Sequence, residues 1–466
     1  MPEDRAAERP DGDGDDADAS RPGATSRRAA AATLAQWLGL GAAIGVACGA
    51  ASALFLTLLA LATDTREGHE ALVFALPLAG LVLGWIYERL GQPVVAGTGL
   101  VLDTIHDDGP ELPTRLAPLV LIGTVLTHLF GGSAGREGTA VQMGAGLSDW
   151  IAHRLRLSGL ARRHLLVAGV AGGFGSVFGT PIAGAVFGME FLVLGQLEVR
   201  ALVPALVAAV VGDLTTRALG VGHAAYPTVA ALPLSPLLLG KWLLFAGAIA
   251  LTTTAFIELT HRIRDGAKRW LPRLPLRMAL GGAALVALWQ LLGTSDYLGL
   301  GVPVILRTFS DPDVASYAFA LKLGFTAITI GVGFLGGEVT PLFFIGAALG
   351  ATLAPVLDLP LAMCAGVGMT AALASAANTP LALSIMAVEL LGAHVLPHVV
   401  IVSALAYLFT GHRSIYPAQR LLHGKTGGAQ TRATPLRDLS RGQPPRGECP
   451  APVSPRRPPP RAGRRR

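Results

Sequence analysis

Charged residues are scarce in this chain. They make up 15% of the 466 residues, against about 25% in soluble domains. Hydrophobic residues make up 52%, and the mean hydropathy is +0.53. These values exclude an ordinary soluble protein and predict an all-α, multi-pass membrane protein in contact with lipid. Much of the charge lies near the two ends of the chain, so the net charge of +6 does not indicate a nucleic-acid partner.

The sequence also lacks the residue clusters that are typical of disulfides, metal sites and enzyme active sites. Cys48, Cys364 and Cys449 have neither disulfide nor metal-ligand spacing, so we expect no metal and no organic cofactor. The sequence shows no nucleophile motif and no phosphate-binding loop, and we expect no enzyme activity. The N-terminus lacks the pattern of a cleavable signal peptide. We therefore expect the first apolar segment, which starts near Thr33, to remain as a membrane helix.

Apolar stretches follow one another closely from residue 33 to residue 421. Residues 1–32 and 422–466 have no apolar face, and the second of these tails is basic and rich in Pro and Arg; both are predicted to be disordered. Some apolar stretches exceed the roughly 20 residues that a span needs, whereas others are short and broken by Gly or Pro. Broken helices are tolerated where they line a cavity, which is where transporters place their binding sites.

The sequence contains an internal repeat. Thr180-Pro-Ile-Ala-Gly-Ala-Val-Phe-Gly-Met-Glu190 is matched by Thr379-Pro-Leu-Ala-Leu-Ser-Ile-Met-Ala-Val-Glu389. Glu137-Gly-Thr139 is matched by Glu338-Val-Thr340, and Gly97-Thr-Gly-Leu100 by Gly299-Leu-Gly-Val302, all at offsets between 199 and 202. We infer two halves, about 33–220 and 233–421. Identity alone does not decide whether the second half is inverted. The common spacing of Glu190 and Glu389 predicts a shared architectural role at helix ends.

The stretch from Gly131 to Gly144 places Arg136 and Glu137 at the start of an apolar helix. Ionisable residues at membrane depth mark ion or proton paths, and the start of a helix is a site for an anion. We expect the Glu137 carboxylate to occupy that site and to leave when protonated, which is a proton-coupled gate. The alternative is a carboxylate that only caps its helix or pairs with Arg136. Adjacent helical residues point in different directions, so we expect no close Arg136–Glu137 pair.

Four motifs, in this order along the chain, resemble those of the CLC anion channels and transporters: Gly97-Thr-Gly-Leu100, Gly135-Arg-Glu-Gly-Thr139, Gly336-Gly-Glu-Val-Thr-Pro341 and Tyr416. The resemblance covers about 33–421. It implies a CLC-type fold with two inverted repeats and several broken or re-entrant helices. It also implies a homodimer, with one anion path in each subunit, in the cell inner membrane and with both termini cytoplasmic. The implied gating residues are Glu137 and Glu338, and the implied anion-binding residues are Thr98, Gly99, Gly138, Thr139, Val339, Thr340 and Tyr416.

Departures from the chloride-type pattern favour fluoride as the transported ion. Chloride members usually have Ser at Thr98, Pro at Thr139 and an apolar loop at 338–340, whereas Gly-Gly-Glu-Val-Thr-Pro is similar to the fluoride/proton antiporter branch. Chloride exchangers carry a proton-relay Glu where this chain has Phe191. The resemblance thus implies export of fluoride in exchange for protons. The alternative is a chloride channel or a chloride/proton exchanger on the same fold.

Simpler roles are open for two of these residues. Glu338 could only cap its helix, and Tyr416 could be an aromatic anchor at the membrane interface. A membrane enzyme that uses Glu137 and Glu338 as an acid/base pair is a more distant alternative, because no other catalytic group supports it.

Overall fold

The computed structural model describes residues 24–91, 94–107, 111–425 and 429–439. Within these ranges the regular structure is helical apart from one antiparallel pair of strands, β1 (Arg420–His423) and β2 (Ala429–Pro435), and loops join the elements. The helices are α1 Ala24–Gly68, α2 Leu76–Leu90, α3 Thr98–Asp107, α4 Leu116–Leu129, α5 Glu137–Arg154, α6 Gly159–Phe178, α7 Pro181–Glu190, α8 Leu202–Ala218, α9 Pro236–Trp270, α10 Leu274–Leu292, α11 Val302–Arg307, α12 Ala318–Val332, α13 Val339–Leu357, α14 Leu361–Ala377, α15 Pro380–Leu391, α16 Leu396–Phe409 and α17 Leu436–Leu439. Four short 3₁₀ turns lie between them at 70–75, 94–96, 199–201 and 393–395.

The helices fall into two matching sets. In the described part of the chain, α1 to α8 are followed in the same order by α9 to α16, and a loop over residues 219–235 joins the two sets. In each set a long first helix leads to a short third helix, α3 or α11, and later to a buried helix that is rich in small residues, α6 or α14. The predicted repeat is therefore present along the whole helical region.

Two glutamates show how the halves are related. Glu190, at the end of α7, accepts hydrogen bonds from the backbone N–H groups of Leu381 and Ala382 at 3.0 and 2.8 Å. Glu389, near the end of α15, accepts from the N–H groups of Ile182 and Ala183 at 3.0 and 2.8 Å. Each carboxylate thus binds the N-terminus of the other helix, a favourable place for a negative charge. The two helices run antiparallel, as inverted repeats require, and the predicted architectural role of both glutamates is confirmed.

Helix length agrees with a polytopic membrane protein that contains broken helices. Among the described residues, six helical segments are long and apolar enough to cross a membrane, including Arg27–Gly68 and Pro236–Trp270. Other apolar helices, such as Leu116–Leu129 and Pro380–Leu391, are shorter. Because a perpendicular span needs about 20 residues, the short helices must end inside the protein, where neighbouring segments meet their free backbone groups.

Small residues bring the central helices together in both halves. A Cβ atom added at Gly144 of α5 would lie 2.1 Å from the carbonyl oxygen of Gly169 in α6. One added at Gly346 of α13 would lie 2.1 Å from the carbonyl oxygen of Gly368 in α14. Close approach of helix backbones at small residues is the usual way that membrane helices pack. It fixes the positions of α5 and α13, which carry the candidate site at their first residues.

The predicted boundaries of the two tails need correction. Residues 24–32, placed in the N-terminal tail, belong to α1, because their Ala-rich sequence favours helix and continues the first span. Residues 429–439, placed in the C-terminal tail, form β2 and α17, because β2 pairs with β1 and Leu436 packs on Leu194 and Leu421. Residues 1–23 and 440–466 of the predicted tails lie outside the described residues.

We expect Gly144→Ala to lower the free energy of unfolding by about 1–3 kcal/mol, because the added methyl group forces α5 away from α6. The measurement is thermal unfolding of the purified protein in detergent. Gly240→Ala in α9 is the matched control, since nothing lies within 4 Å of its added Cβ. A Gly144 variant as stable as the control would show that the two helices are not held at this distance.

Candidate functional site

The two halves meet at a pair of glycine loops. The Gly135 N–H donates to the Gly337 carbonyl at 2.6 Å, and the Gly337 N–H donates to the Gly135 carbonyl at 2.7 Å. A side chain at either position would collide with the other loop: an added Cβ would lie 2.9 Å from Gly337 O or 2.7 Å from Gly138 N. The pairing places the first residues of α5 and α13 side by side, so the N-termini of two helices converge on one region.

The Glu137 carboxylate is held at this convergence and is fully buried. Its Oε2 accepts hydrogen bonds from the N–H groups of Arg136 at 3.0 Å and Thr340 at 3.2 Å. Its Oε1 accepts a hydrogen bond from the Thr340 hydroxyl. A carboxylate of the first half therefore binds the start of α13 in the second half, which is where an anion would bind. The geometry is that of a site filled by the protein's own negative group.

Arg136 lies closer to Glu137 than the sequence predicted. Its Nε is 3.5 Å from Glu137 Oε1, so the expectation of no close pair was wrong. Arg136 precedes the helix and has its own backbone angles, φ −113° and ψ −20°, so the divergence of neighbouring helical side chains does not apply to it. The guanidinium adds a positive charge on one side of the carboxylate, whereas Thr340 supplies neutral donors on the other.

Five of the predicted site residues line one cavity of about 310 Å³: Thr98, Gly99, Thr139, Glu338 and Tyr416. Thr98 is the first residue of α3, and Glu338 directly precedes α13. The Glu338 carboxylate makes no hydrogen bond to another residue within the described ranges. The remaining predicted residues are adjacent to the wall of the cavity in sequence and lie in the closed Glu137 region: Glu137, Gly138, Val339 and Thr340.

The Thr139 hydroxyl is already engaged, because its oxygen lies 2.6 Å from the hydroxyl oxygen of Thr124 on α4. This contact ties the first turn of α5 to α4 beside the cavity. Glu338 and Thr340 sit on opposite sides of Val339, so one short segment presents a carboxylate to the cavity and a hydroxyl to Glu137.

Tyr416 is fixed by the loop that carries it. Its N–H donates to the Ser414 hydroxyl at 2.9 Å, and the side-chain amide of Gln419 donates to the Phe191 and Ala377 carbonyls at 2.8 and 2.7 Å. The Tyr416 ring meets the Phe191 ring edge to face, with centroids 6.3 Å apart. The ring is buried and lines the cavity, so an anchor at the membrane surface does not describe its place.

Phe191 belongs to a continuous row of aromatic rings. Phe191 stacks on Phe187 at 5.3 Å, and Phe187 stacks on Phe174 at 4.1 Å. Phe178 continues the row at 4.9 Å from Phe174 and reaches Phe343 of α13 at 5.5 Å. These rings, two pairs of them stacked and two tilted, fill the interior between the Tyr416 loop and α13 with apolar side chains.

Comparison with known proteins places this chain in a family. The sequence model of the family described as voltage gated chloride channel matches residues 79–411. The chain belongs to this CLC family. A Pseudomonas syringae pv. tomato protein named "Chloride/fluoride channel protein" is 45% identical over 403 residues, which are 84% of this chain and 88% of that protein.

Two solved CLC structures superimpose on the chain. The crystal structure of a CLC-type fluoride/proton antiporter is 35% identical, with a TM-score of 0.81, and the match covers 86% of this chain and all of that one. The structure of a slow cyanobacterial Cl⁻/H⁺ antiporter has a TM-score of 0.70 at 19% identity and covers 80% of this chain and 94% of that one. The second likeness shows the fold alone. The predicted CLC-type fold is thus confirmed.

One polar residue that lines the cavity was not predicted from the sequence. Gln142, on α5, lines the cavity, and its Nε2 lies 3.5 Å from the Thr98 hydroxyl oxygen. Its buried Oε1 has no hydrogen-bond partner among the described atoms. The signal in the sequence was a polar residue inside the apolar start of α5, five residues after Glu137.

Three basic residues that line the cavity were not predicted from the sequence either. Arg264 and Lys268 at the end of α9, and Arg277 of α10, line the same cavity. The Arg277 guanidinium donates to the Val332 carbonyl at 3.1 Å and so stays close to the loop before Glu338. In sequence these cations resembled ordinary charges at the ends of spans.

We expect Thr340→Val to lower the free energy of unfolding by about 1–3 kcal/mol, because the buried Glu137 carboxylate loses a hydroxyl donor that Val cannot replace. Thr340→Ser keeps the hydroxyl and should be close to the wild type. Chemical or thermal unfolding in detergent provides the comparison. Equal stability of the Val and Ser variants would mean that the hydroxyl does not hold the carboxylate.

Proposed function

We propose that this protein exports fluoride across the cell membrane in exchange for protons. The observation that carries the proposal is the position of Glu137, a carboxylate bound by the N–H and hydroxyl of Thr340 at the start of another helix. The 35% identical fluoride/proton antiporter and the 45% identical chloride/fluoride protein support the choice of ion. The function is transport, as expected of the family, rather than catalysis.

Glu137 acts as the gate. Its negative carboxylate fills the donor site between α5 and α13, so a free anion cannot enter while the carboxylate is there. A proton would remove the charge that the helix ends and Arg136 attract. The neutral side chain then leaves, and the anion takes over the same donors. The negative carboxylate and the anion compete for the same donors, and protonation of Glu137 decides which of them binds, so the proton flow and the anion flow are coupled at one place.

Glu338 is the second proton-carrying group. It opens to the cavity beside Tyr416, whereas Glu137 lies in the closed region next to that cavity. The row of phenylalanine rings from Phe191 to Phe343 offers no polar group for a separate proton route through that part of the interior. Protons therefore use the anion cavity itself, and Glu338 receives or delivers them there.

The lining suits a small, strongly hydrated anion. Thr98, Gln142 and Tyr416 can each donate a hydrogen bond into the cavity, and Arg264, Lys268 and Arg277 give it a positive field. Neutral donors replace lost hydration without binding an anion too tightly for release. Chloride transport is the second candidate, because a Cl⁻/H⁺ antiporter shares the fold and the Pseudomonas protein's name includes chloride.

We place two copies together in the inner membrane, with both termini in the cytoplasm. The pair of α7 and α15 exposes Ile182 and Leu381, which are 45% and 52% exposed. Leu214 of α8 and Phe409 of α16 are 60% and 51% exposed on neighbouring helices. This apolar face suits a second copy of the chain, and the other apolar faces suit lipid.

The first test uses purified protein in liposomes loaded with fluoride, with external fluoride and pH recorded together. We expect fluoride to leave while protons enter, so the external pH rises. Glu137→Gln should abolish proton movement, because Gln cannot be protonated in the same way. Equal efflux from chloride-loaded liposomes without proton movement would overturn the proposal and indicate a chloride channel.

A second test concerns Glu338. We expect Glu338→Gln to slow proton uptake about 100-fold, the lower end of what a positioned acid–base group contributes. Glu258→Gln is the matched control, because Glu258 is paired with Arg413 at 2.9 Å and its side chain is 41% exposed. Proton uptake that is as fast in Glu338→Gln as in the control would show that Glu338 carries no protons and only caps its helix.

A further inference from the structure

The segment 429–439, which we call the strap, folds back onto the transport domain. Its strand β2 pairs with β1, and its Leu436 N–H donates to the Gln419 carbonyl at 2.9 Å. The Arg437 N–H donates to the Pro417 carbonyl at 2.9 Å. Leu436 also packs with Leu194 and Leu421 in a small buried cluster. The strap is therefore attached directly to the loop that carries Tyr416.

The side chain of Arg437 reaches from the strap to α3. Its Nη1 donates to Asp103 Oδ2 and its Nη2 to Asp103 Oδ1, both at 2.9 Å. Such a two-point pair fixes direction as well as distance. Asp103 lies five residues after Thr98 on the same helix, and α3 is held at its far end by His106, whose Nε2 lies 3.0 Å from the Leu192 carbonyl oxygen. Arg437 thus joins α3 to the Tyr416 loop.

These contacts lie at a solvent-exposed part of the anion cavity, lined by Val95, Ala96 and Arg437, which we call its mouth. Val95 and Ala96 are exposed, and the Arg437 side chain is 33% exposed, whereas Thr139 at the other end is buried. Two walls of the cavity are α3, which begins at Thr98, and the loop around Tyr416. Arg437 therefore contacts both walls. Its guanidinium binds the Asp103 side chain of α3, and its backbone N–H binds the Pro417 carbonyl of the Tyr416 loop.

We propose that Arg437 is a positioning residue for transport, which holds Thr98 and Tyr416 at the separation that makes anion passage depend on protons. The proposal rests on the proton-coupled function given above. When the Arg437–Asp103 pair is broken, α3 is free to move away from the Tyr416 loop and the mouth widens. Anions can then pass when Glu137 moves aside without being protonated, and the number of protons moved per anion falls.

The test measures protons moved per fluoride ion in liposomes for the wild type, Arg437→Gln, Asp103→Asn and the double variant. We expect each single variant to lower this ratio by up to about fivefold, the factor at the upper end for loss of a partly exposed ion pair. The double variant should match the singles, because the two side chains act as one pair. Arg307→Gln is the control, since Arg307 also pairs with an aspartate, Asp296, at 2.7 Å.

The outcomes separate the two proposals. A wild-type protein that moves fluoride without protons would overturn the proposed function itself. A coupled wild type with unchanged coupling in Arg437→Gln, or losses that add up in the double variant, would overturn the role of Arg437. A general loss of folding would lower the transport rate and thermal stability without changing the ratio, so the ratio is the decisive reading.

Discussion

The contact between the Glu137 carboxylate and Thr340 is the interaction on which the rest of the structure depends. It joins the first residue of α5 to the first turn of α13, so it exists only because the two halves are inverted and meet at their glycine loops. Glu190 and Glu389 stabilise the inverted arrangement, since each caps a helix of the opposite half. Gly–Gly contacts between α5 and α6, and between α13 and α14, set the depth at which the two helices begin.

The buried Glu137 carboxylate is held more closely by neutral donors than by its ion pair with Arg136. The closest partners of the Glu137 carboxylate are backbone N–H groups and one hydroxyl, and the Arg136 guanidinium lies farther away at 3.5 Å. Burying a charge costs less when hydrogen bonds replace its hydration. Neutral donors also release an anion more readily than a fixed cation would. The same donors can therefore serve the carboxylate and a transported ion in turn.

Much of this arrangement could be predicted from the sequence, because it is repeated there. The matched Thr-Pro helices indicated two halves, and Glu137, Thr340 and Tyr416 were identified by motifs that lie close to helix starts. The contacts that were missed depend on long-range folding. Arg136 approaches Glu137 because it lies outside the helix, and no pattern in the sequence shows the backbone angles of a single residue. Arg437 was assigned to a disordered tail, because its composition is polar and its partner Asp103 lies 334 residues away.

The measurement that tests the central claim most directly is fluoride binding to Glu137→Ala and to the wild type by isothermal titration calorimetry at neutral pH. If the carboxylate fills the anion site about nine-tenths of the time, its removal should tighten fluoride binding about tenfold. Thermal unfolding of both proteins would establish that the variant is folded. Equal or weaker binding by a folded Glu137→Ala protein would contradict the account, because the carboxylate would then not occupy the place where the anion binds.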